Sequence, residues 1–298
     1  MKKWHIVLLI IVLIWLLSFT ISQITKESKN IISKDRIAII PIEGVISTIS
    51  QNFPTPTKSS QTILENLKSA NEDSGIKAII LEINSPGGTV IASKEIADYI
   101  GLINKPVISV IREVGASGAY WIAASSDSII ADPLSITGSI GVTSSYIEIN
   151  GVLEKFDAKY QELTAGENKE LGNPLKELTD EERAILEKKL EIIHEFFLEK
   201  IQETRTITDL KRVETGEFFL GVEAKELGLI DKFGNLDTAV EEAKQQANIK
   251  DAELFRYEER RGLFNIFGSA STELGYAIGR GIGAEVVNQE KNSVNIRL

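Results

Sequence analysis

Ala78-Ile79-Ile80-Leu81-Glu82-Ile83-Asn84-Ser85-Pro86-Gly87-Gly88 is an apolar run that stops on a Pro-Gly-Gly turn. A short run rich in branched side chains and closed by glycine has the pattern of a buried strand rather than a helix. Residues 89–102 follow, with Ile91, Ile96, Ala97 and Ile100 at helical spacing. The unit then recurs. Val107-Ile108-Ser109-Val110-Ile111 reads as the next strand, and Gly115-Ala116-Ser117-Gly118-Ala119-Tyr120-Trp121 turns into an Ala-rich helix. Strand, glycine turn and helix repeating at this interval predict crossover units on a parallel sheet, an α/β fold. In such sheets, sites form where strands end and helices begin, and both glycine turns lie there.

Outward from this pair, Ile37 to Gly44 reads as a buried strand, residues 50–60 as an exposed Ser/Thr/Pro loop, and 61–72 as a helix with Ile63, Leu64 and Leu67 on one side. Ile129-Ile130-Ala131 and Ile140-Gly141-Val142 continue the strands. Residues 180–204 form a long helix of mixed charge. Its stripe of Leu186, Leu190, Ile193, Phe197 and Ile201 reads as core or as a subunit contact. His194, beside Glu191 and Glu195, reads as solvated or partner-facing. A helix over 236–247 and a strand over 252–257 close the pattern.

The N-terminus carries Lys2 and Lys3, then an apolar run from Ile6 to Ile24. At about 1.5 Å per residue this run is about 28 Å long, close to a hydrocarbon core. We therefore expect a transmembrane signal-anchor over residues 1–24, with a cleaved signal peptide as the alternative. The two lysines place the N-terminus in the cytoplasm and the rest of the chain outside the cell membrane, a single-pass arrangement. Residues 25–35 read as a stalk, 36–258 as the globular domain, and 259–298 as a tail. Leu263, Phe264, Ile266 and Phe267 in that tail suit a membrane-surface segment, a subunit clasp or disorder.

Composition narrows the function classes. The 298-residue chain has a formal net charge of -10, which argues against nucleic acid as a partner. It has no cysteine, which excludes a thiol nucleophile, a disulfide scaffold and a thiolate metal site. No phosphate loop or metal-ligand cluster is present, so no cofactor and no metal are expected.

The chemistry gathers at Ser117. A serine hydroxyl is a weak nucleophile unless a neighbouring base takes its proton. The chain has only two histidines, His5 in the apolar N-terminal run and His194 in the charged helix, so a lysine is the expected base. A serine opening a helix faces unsatisfied backbone N–H groups. The Gly118 amide can then stabilise a developing oxyanion, with a second donor from Gly87 or Gly88, of which Gly88 is favoured. Each motif alone is an ordinary turn. Their weight comes from occurring in pairs, after successive strands of one alternating unit.

Leu81-Glu82-Ile83-Asn84-Ser85-Pro86-Gly87-Gly88, Ala116-Ser117-Gly118-Ala119-Tyr120 and Thr137-Gly138-Ser139-Ile140-Gly141-Val142 together resemble the signal peptide peptidase A (protease IV) family of the ClpP/crotonase superfamily. The resemblance covers residues 36–245. It implies a ClpP/crotonase-like fold of repeated ββα-type crossover units, with Ser117 as nucleophile. Ala165-Gly166-Glu167-Asn168-Lys169-Glu170-Leu171-Gly172-Asn173-Pro174 matches the family's lysine segment, which makes Lys169 the base. Ser139 maps onto the serine that hydrogen-bonds the lysine amine. Lys155, Lys159 and Lys176 are competitors, because the lysine segment matches less tightly than the serine segment. Ala119 and Trp121 also depart from the family's glycine and tyrosine. A lysine base further requires its pKa of about 10.4 to be pushed well down by its surroundings.

The implied activity is that of a membrane-anchored serine endopeptidase cutting released signal peptides and other short apolar peptides. Short members resemble homo-oligomeric rings whose Ser–Lys dyad is completed between neighbouring subunits. Two alternatives remain open at this point. One is an NfeD-like membrane serine protease acting on a specific membrane partner, and the other an acyl-CoA-binding or inactive member of the superfamily.

Overall fold

The structure, a computed structural model, describes Trp15, residues 35–49 and residues 57–257. The expected anchor, stalk and tail lie outside the described residues, apart from Trp15 and Asp35. Among the described residues no helix is long and apolar enough to cross a membrane.

The chain runs β1 (Arg36–Glu43), β2 (Val45–Ser47), β3 (Thr57–Ser59), α1 (Ser60–Glu72), β4 (Ile76–Ser85), α2 (Val90–Ile100), β5 (Val107–Ala116) and α3 (Gly118–Ala124). It continues through β6 (Ser128–Ala131), β7 (Ile136–Gly138), α4 (Asn150–Lys155), α5 (Asp180–Thr204), α6 (Leu210–Val213), β8 (Phe218–Leu220), α7 (Gly221–Glu226), β9 (Lys232–Phe233), α8 (Leu236–Gln246) and β10 (Glu253–Arg256). The main sheet has the order β10-β1-β4-β5-β6-β9, and every pairing along that path is parallel. The expected α/β architecture with a parallel sheet is therefore present.

The strands read as continuous apolar runs because both sheet faces are covered. Ile37, Ile39, Ala78, Ile80, Ile108, Val110 and Ile130 meet Ala239, Val240 and Ala243 of α8 on one face. Ala38, Ile40, Ile42, Ile79, Leu81 and Ile83 fill the other, against α1, α2 and α3. Glu82 interrupts the first face. Its buried carboxylate pairs with Arg112 on β5 and Arg256 on β10, which clamps the edge strand to the centre of the sheet.

β5 has two partners, and this division positions the site. Its first half pairs with β6, while Val114, Gly115 and Ala116 pair with Ile136, Thr137 and Gly138 of β7. The strand expected at 140–142 is thus displaced to 136–138. It ends because Gly138 (φ 75°) and Ser139 (φ 50°) both leave the extended region. Residues 57–59 are a strand rather than loop: they pair with β2, and Lys58 and Ser59 are buried. Ile91, expected on the apolar face of α2, is exposed. In the α5 stripe, Phe197 and Ile201 enter the core, whereas Leu186, Leu190 and Ile193 are half-buried.

Candidate active site

β5 ends at Ala116 and α3 begins at Gly118, so Ser117 makes the whole turn between them. Its φ of 53° and ψ of -126° are not conformations a side chain favours. Such a residue costs on the order of 1–3 kcal/mol and persists only where its surroundings over-determine it. Here they do. The Ser117 N–H donates to the Gly138 carbonyl at 2.8 Å, and the Ser117 carbonyl accepts from the Trp121 N–H at 3.0 Å. Every residue of α3 is buried. Trp121 stacks on Phe197 with ring centroids 4.7 Å apart, and the Tyr120 hydroxyl donates to the Leu229 carbonyl at 2.9 Å. Arg205 closes the far end of α3, donating to the Ala124 and Ser126 carbonyls and pairing with Asp231. The Ala119 methyl lies wholly within the core, so this departure from the family motif does not narrow the exposed side of the turn.

The Pro-Gly-Gly turn packs directly against the Ser117 turn. Gly87 has φ 104°, and a Cβ there would stand 2.8 Å from the Gly118 nitrogen and 3.0 Å from the Ser117 Cβ. Gly88 lies against β2. The Ile46 N–H donates to the Gly87 carbonyl and the Thr89 N–H to the Ile46 carbonyl, both at 2.9 Å. A Cβ on Gly88 would fall 1.8 Å from the Ile46 oxygen, so only glycine fits. The three amides differ in a way that separates them. The Gly87 N–H is already donated to the Ser85 hydroxyl at 3.1 Å. Those of Gly88 and Gly118 make no hydrogen bond among the described residues. Two unspent backbone donors beside a half-buried, unbonded serine hydroxyl are what an oxyanion needs.

Ser139 lies next in the chain to Gly138, whose carbonyl holds Ser117. Its N–H donates to the Glu217 carbonyl at 2.9 Å. One residue further, the Ile140 carbonyl accepts from Nε2 of His194 at 3.0 Å. Half-buried His194 is therefore tied to the fold rather than free in solvent. It fastens α5 to the Ser139 turn, a role invisible in sequence because its acceptor is a distant main-chain oxygen. Gly138 was likewise missed as a site residue, although a glycine between two motif residues is a legible turn signal.

The Ser117, Gly87, Gly88 and Gly118 turns and the turn carrying Ser139 are thus linked within one chain, and no hydrogen bond joins Lys169 to them among the described residues. Lys169 lies in an exposed turn closed by its own N–H on the Gly166 carbonyl at 3.0 Å, and it makes no ion pair among the described residues. The turn is braced by Tyr160, whose hydroxyl donates to Glu170 at 2.8 Å and accepts from Asn173 at 2.8 Å. Of the competing lysines, Lys176 bonds to Glu182 at 2.9 Å and lies 3.4 Å from Glu162. The Glu182 hydrogen bond outweighs desolvation and raises the Lys176 pKa, the wrong direction for a base. Lys155 and Lys159 are exposed. The same stretch displays Ile147, Phe156 and Leu163 at 81%, 80% and 95% exposure, apolar side chains left largely uncovered among the described residues.

Comparison with known proteins shows the family to which the chain belongs. Residues 102–250 match Peptidase family S49, and residues 44–133 match the Clp protease family. A Methanocaldococcus jannaschii protein assigned as a protease is 31% identical, over 100% of this chain and 99% of that protein. A signal peptide peptidase SppA assigned in Enterococcus faecium is 28% identical over 91% of this chain and 79% of its own length. Among solved structures, the 1510-N membrane-bound stomatin-specific protease superposes with a TM-score of 0.50 at 14% identity, covering 76% of this chain and 98% of that one. This last likeness is one of fold.

Proposed function

The chain belongs to peptidase family S49, and from that premise we propose that it is a membrane-anchored serine endopeptidase of released signal peptides and other short apolar peptides. Ser117 is the nucleophile, Lys169 the base and Ser139 the support of the lysine amine. The observation that carries this reading is the convergence of the unspent Gly88 and Gly118 amides on the strained Ser117 turn.

In the proposed reaction, neutral Lys169 accepts the Ser117 proton as Oγ attacks the peptide carbonyl. The Gly88 and Gly118 amides hold the oxyanion, and Lys169 then protonates the leaving amine. A water activated by the same lysine attacks the acyl-enzyme, releases the second product and returns the proton to Ser117. The exposed position of Lys169 supports delivery to a neighbouring subunit's Ser117, in a ring whose contacts cover Ile147, Phe156 and Leu163. The apolar N-terminal run would set this ring beside lipid-partitioned substrates outside the cell membrane.

A serine-reactive fluorophosphonate applied to the full chain tests the assignment, together with product mass spectrometry on a signal-peptide library. Labelling and cleavage are expected in the wild type, with no labelling of Ser117→Ala and no cleavage by Lys169→Ala. Equal labelling of Ser117→Ala, or normal turnover by either variant, overturns it.

A further inference from the structure

Ser93 is completely buried on α2, yet its hydroxyl has no hydrogen-bond partner among the described residues. It lies behind the Ser117 turn: a Cβ built on Gly118 would fall 2.2 Å from Ser93 Oγ and 3.4 Å from the Gly88 nitrogen. The hydroxyl therefore packs on the Gly118 backbone, at a point that the Gly88 amide also approaches. A buried hydroxyl left unpaired lowers stability, and the rest of the described structure tolerates only one other, Ser109 Oγ inside β5.

We propose that Ser93 is a positioning residue for the oxyanion amides. Its side chain is the seat that fixes the Gly118 peptide, and its unpaired O–H is a dipole free to reorient. When negative charge builds on the carbonyl oxygen held by Gly88 and Gly118, that hydrogen turns toward the charge. A hydroxyl already committed to a partner could not respond in this way. The surroundings are buried and weakly screening, so a dipole one layer behind the amides still acts. This inference rests on the reading of Ser117 as nucleophile with those two amides as donors.

Ser93→Ala and Ser109→Ala form a matched pair, since each removes a buried, unpaired hydroxyl. The test uses the full chain and reads kcat, KM, the first-order rate of fluorophosphonate labelling, and Tm. Both variants are expected to hold or raise Tm, by up to about 4 °C. Ser93→Ala alone should lower kcat and the labelling rate by about tenfold with KM unchanged, less than the 10²–10³ typical of a direct oxyanion donor. Wild-type kcat in Ser93→Ala, or an equal fall in Ser109→Ala, overturns the role of Ser93 while leaving Ser117 labelling intact. Wild-type protein that is not labelled at Ser117 overturns both the inference and the reading beneath it.

Discussion

The Ser117 amide donates to the Gly138 carbonyl at 2.8 Å, so the turn of the proposed nucleophile and the turn carrying Ser139 are one hydrogen-bonded unit. The unit is gripped from three sides. Glu217, the residue before β8, accepts the Ser139 N–H on its carbonyl, α5 reaches the Ile140 carbonyl through His194, and the buried α3 stacks its Trp121 on Phe197 of α5. A displacement at any of these points moves both serines together.

Gly138 is the most sensitive point in that unit. Its φ of 75° disfavours a side chain, and a Cβ would stand 2.6 Å from the Phe219 ring. Gly138→Ala should lower kcat by about 10²-fold, the usual scale for a misplacement of about 1 Å, while destabilising the fold by more than about 1 kcal/mol. Steady-state kinetics and thermal unfolding check both numbers. Wild-type kcat would show that the two turns are not coupled.

The parts of this arrangement that were legible in sequence are those set by local chemistry. β4 and β5 announced themselves because both sheet faces are covered, which makes their residues apolar without alternation. The turns at Gly87, Gly88 and Gly118 were legible because close backbone approach admits only glycine. β7 is hard to place from sequence because it is three residues long and is followed by Ser139, a non-glycine residue with positive φ. β3 was missed because its Thr-Lys-Ser composition resembles loop, and only pairing with β2 makes it a strand. His194 and Ser93 act through the backbone of distant segments, and no spacing rule encodes such partners.

Arg205 should matter for stability rather than for chemistry. Its side chain is 6% exposed and serves the Ala124 and Ser126 carbonyls as well as Asp231. Arg205→Ala leaves those carbonyls under-satisfied at the buried end of α3, at a cost of about 1–3 kcal/mol. The expected result is a lower Tm with kcat within about threefold of wild type once folded protein is compared. An unchanged Tm would mean that water replaces the guanidinium at no cost.

Acid stability should depend on Glu82. Burial pushes its carboxyl pKa up, but hydrogen bonds and charge from Arg256 and Arg112 outweigh this and hold it below the ordinary 4.5. A carboxylate with a depressed folded pKa stabilises the fold fully above its unfolded value, and loses that contribution as pH falls through the folded one. Tm of the wild type should therefore fall in the acid range below about pH 4.5, and part of that fall should vanish in Glu82→Gln. Glu82→Gln should also be less stable at neutral pH, by about 1–3 kcal/mol. Thermal unfolding from pH 3 to 7 reads both effects, and parallel pH profiles for the two proteins would contradict the clamp.

The exposed Lys169 turn makes its own prediction, because a base supplied by a neighbour can be supplied to a different chain. Ser117→Ala keeps an intact Lys169, and Lys169→Ala keeps an intact Ser117, so each protein alone should be inactive. Co-expressed at equal levels, the two should assemble at random into mixed rings. In a ring built on one repeated head-to-tail contact, about a quarter of the interfaces then pair an intact serine with an intact lysine from the next subunit. Recovered activity should approach that fraction of wild type and should follow the square-law dependence on mixing ratio, with a maximum at equal amounts. Dyads formed inside a single chain cannot be restored by mixing, since every chain would still lack one member. Native mass spectrometry can establish that mixed assemblies are present, and their complete inactivity at every ratio would place the working lysine within the same chain as its serine.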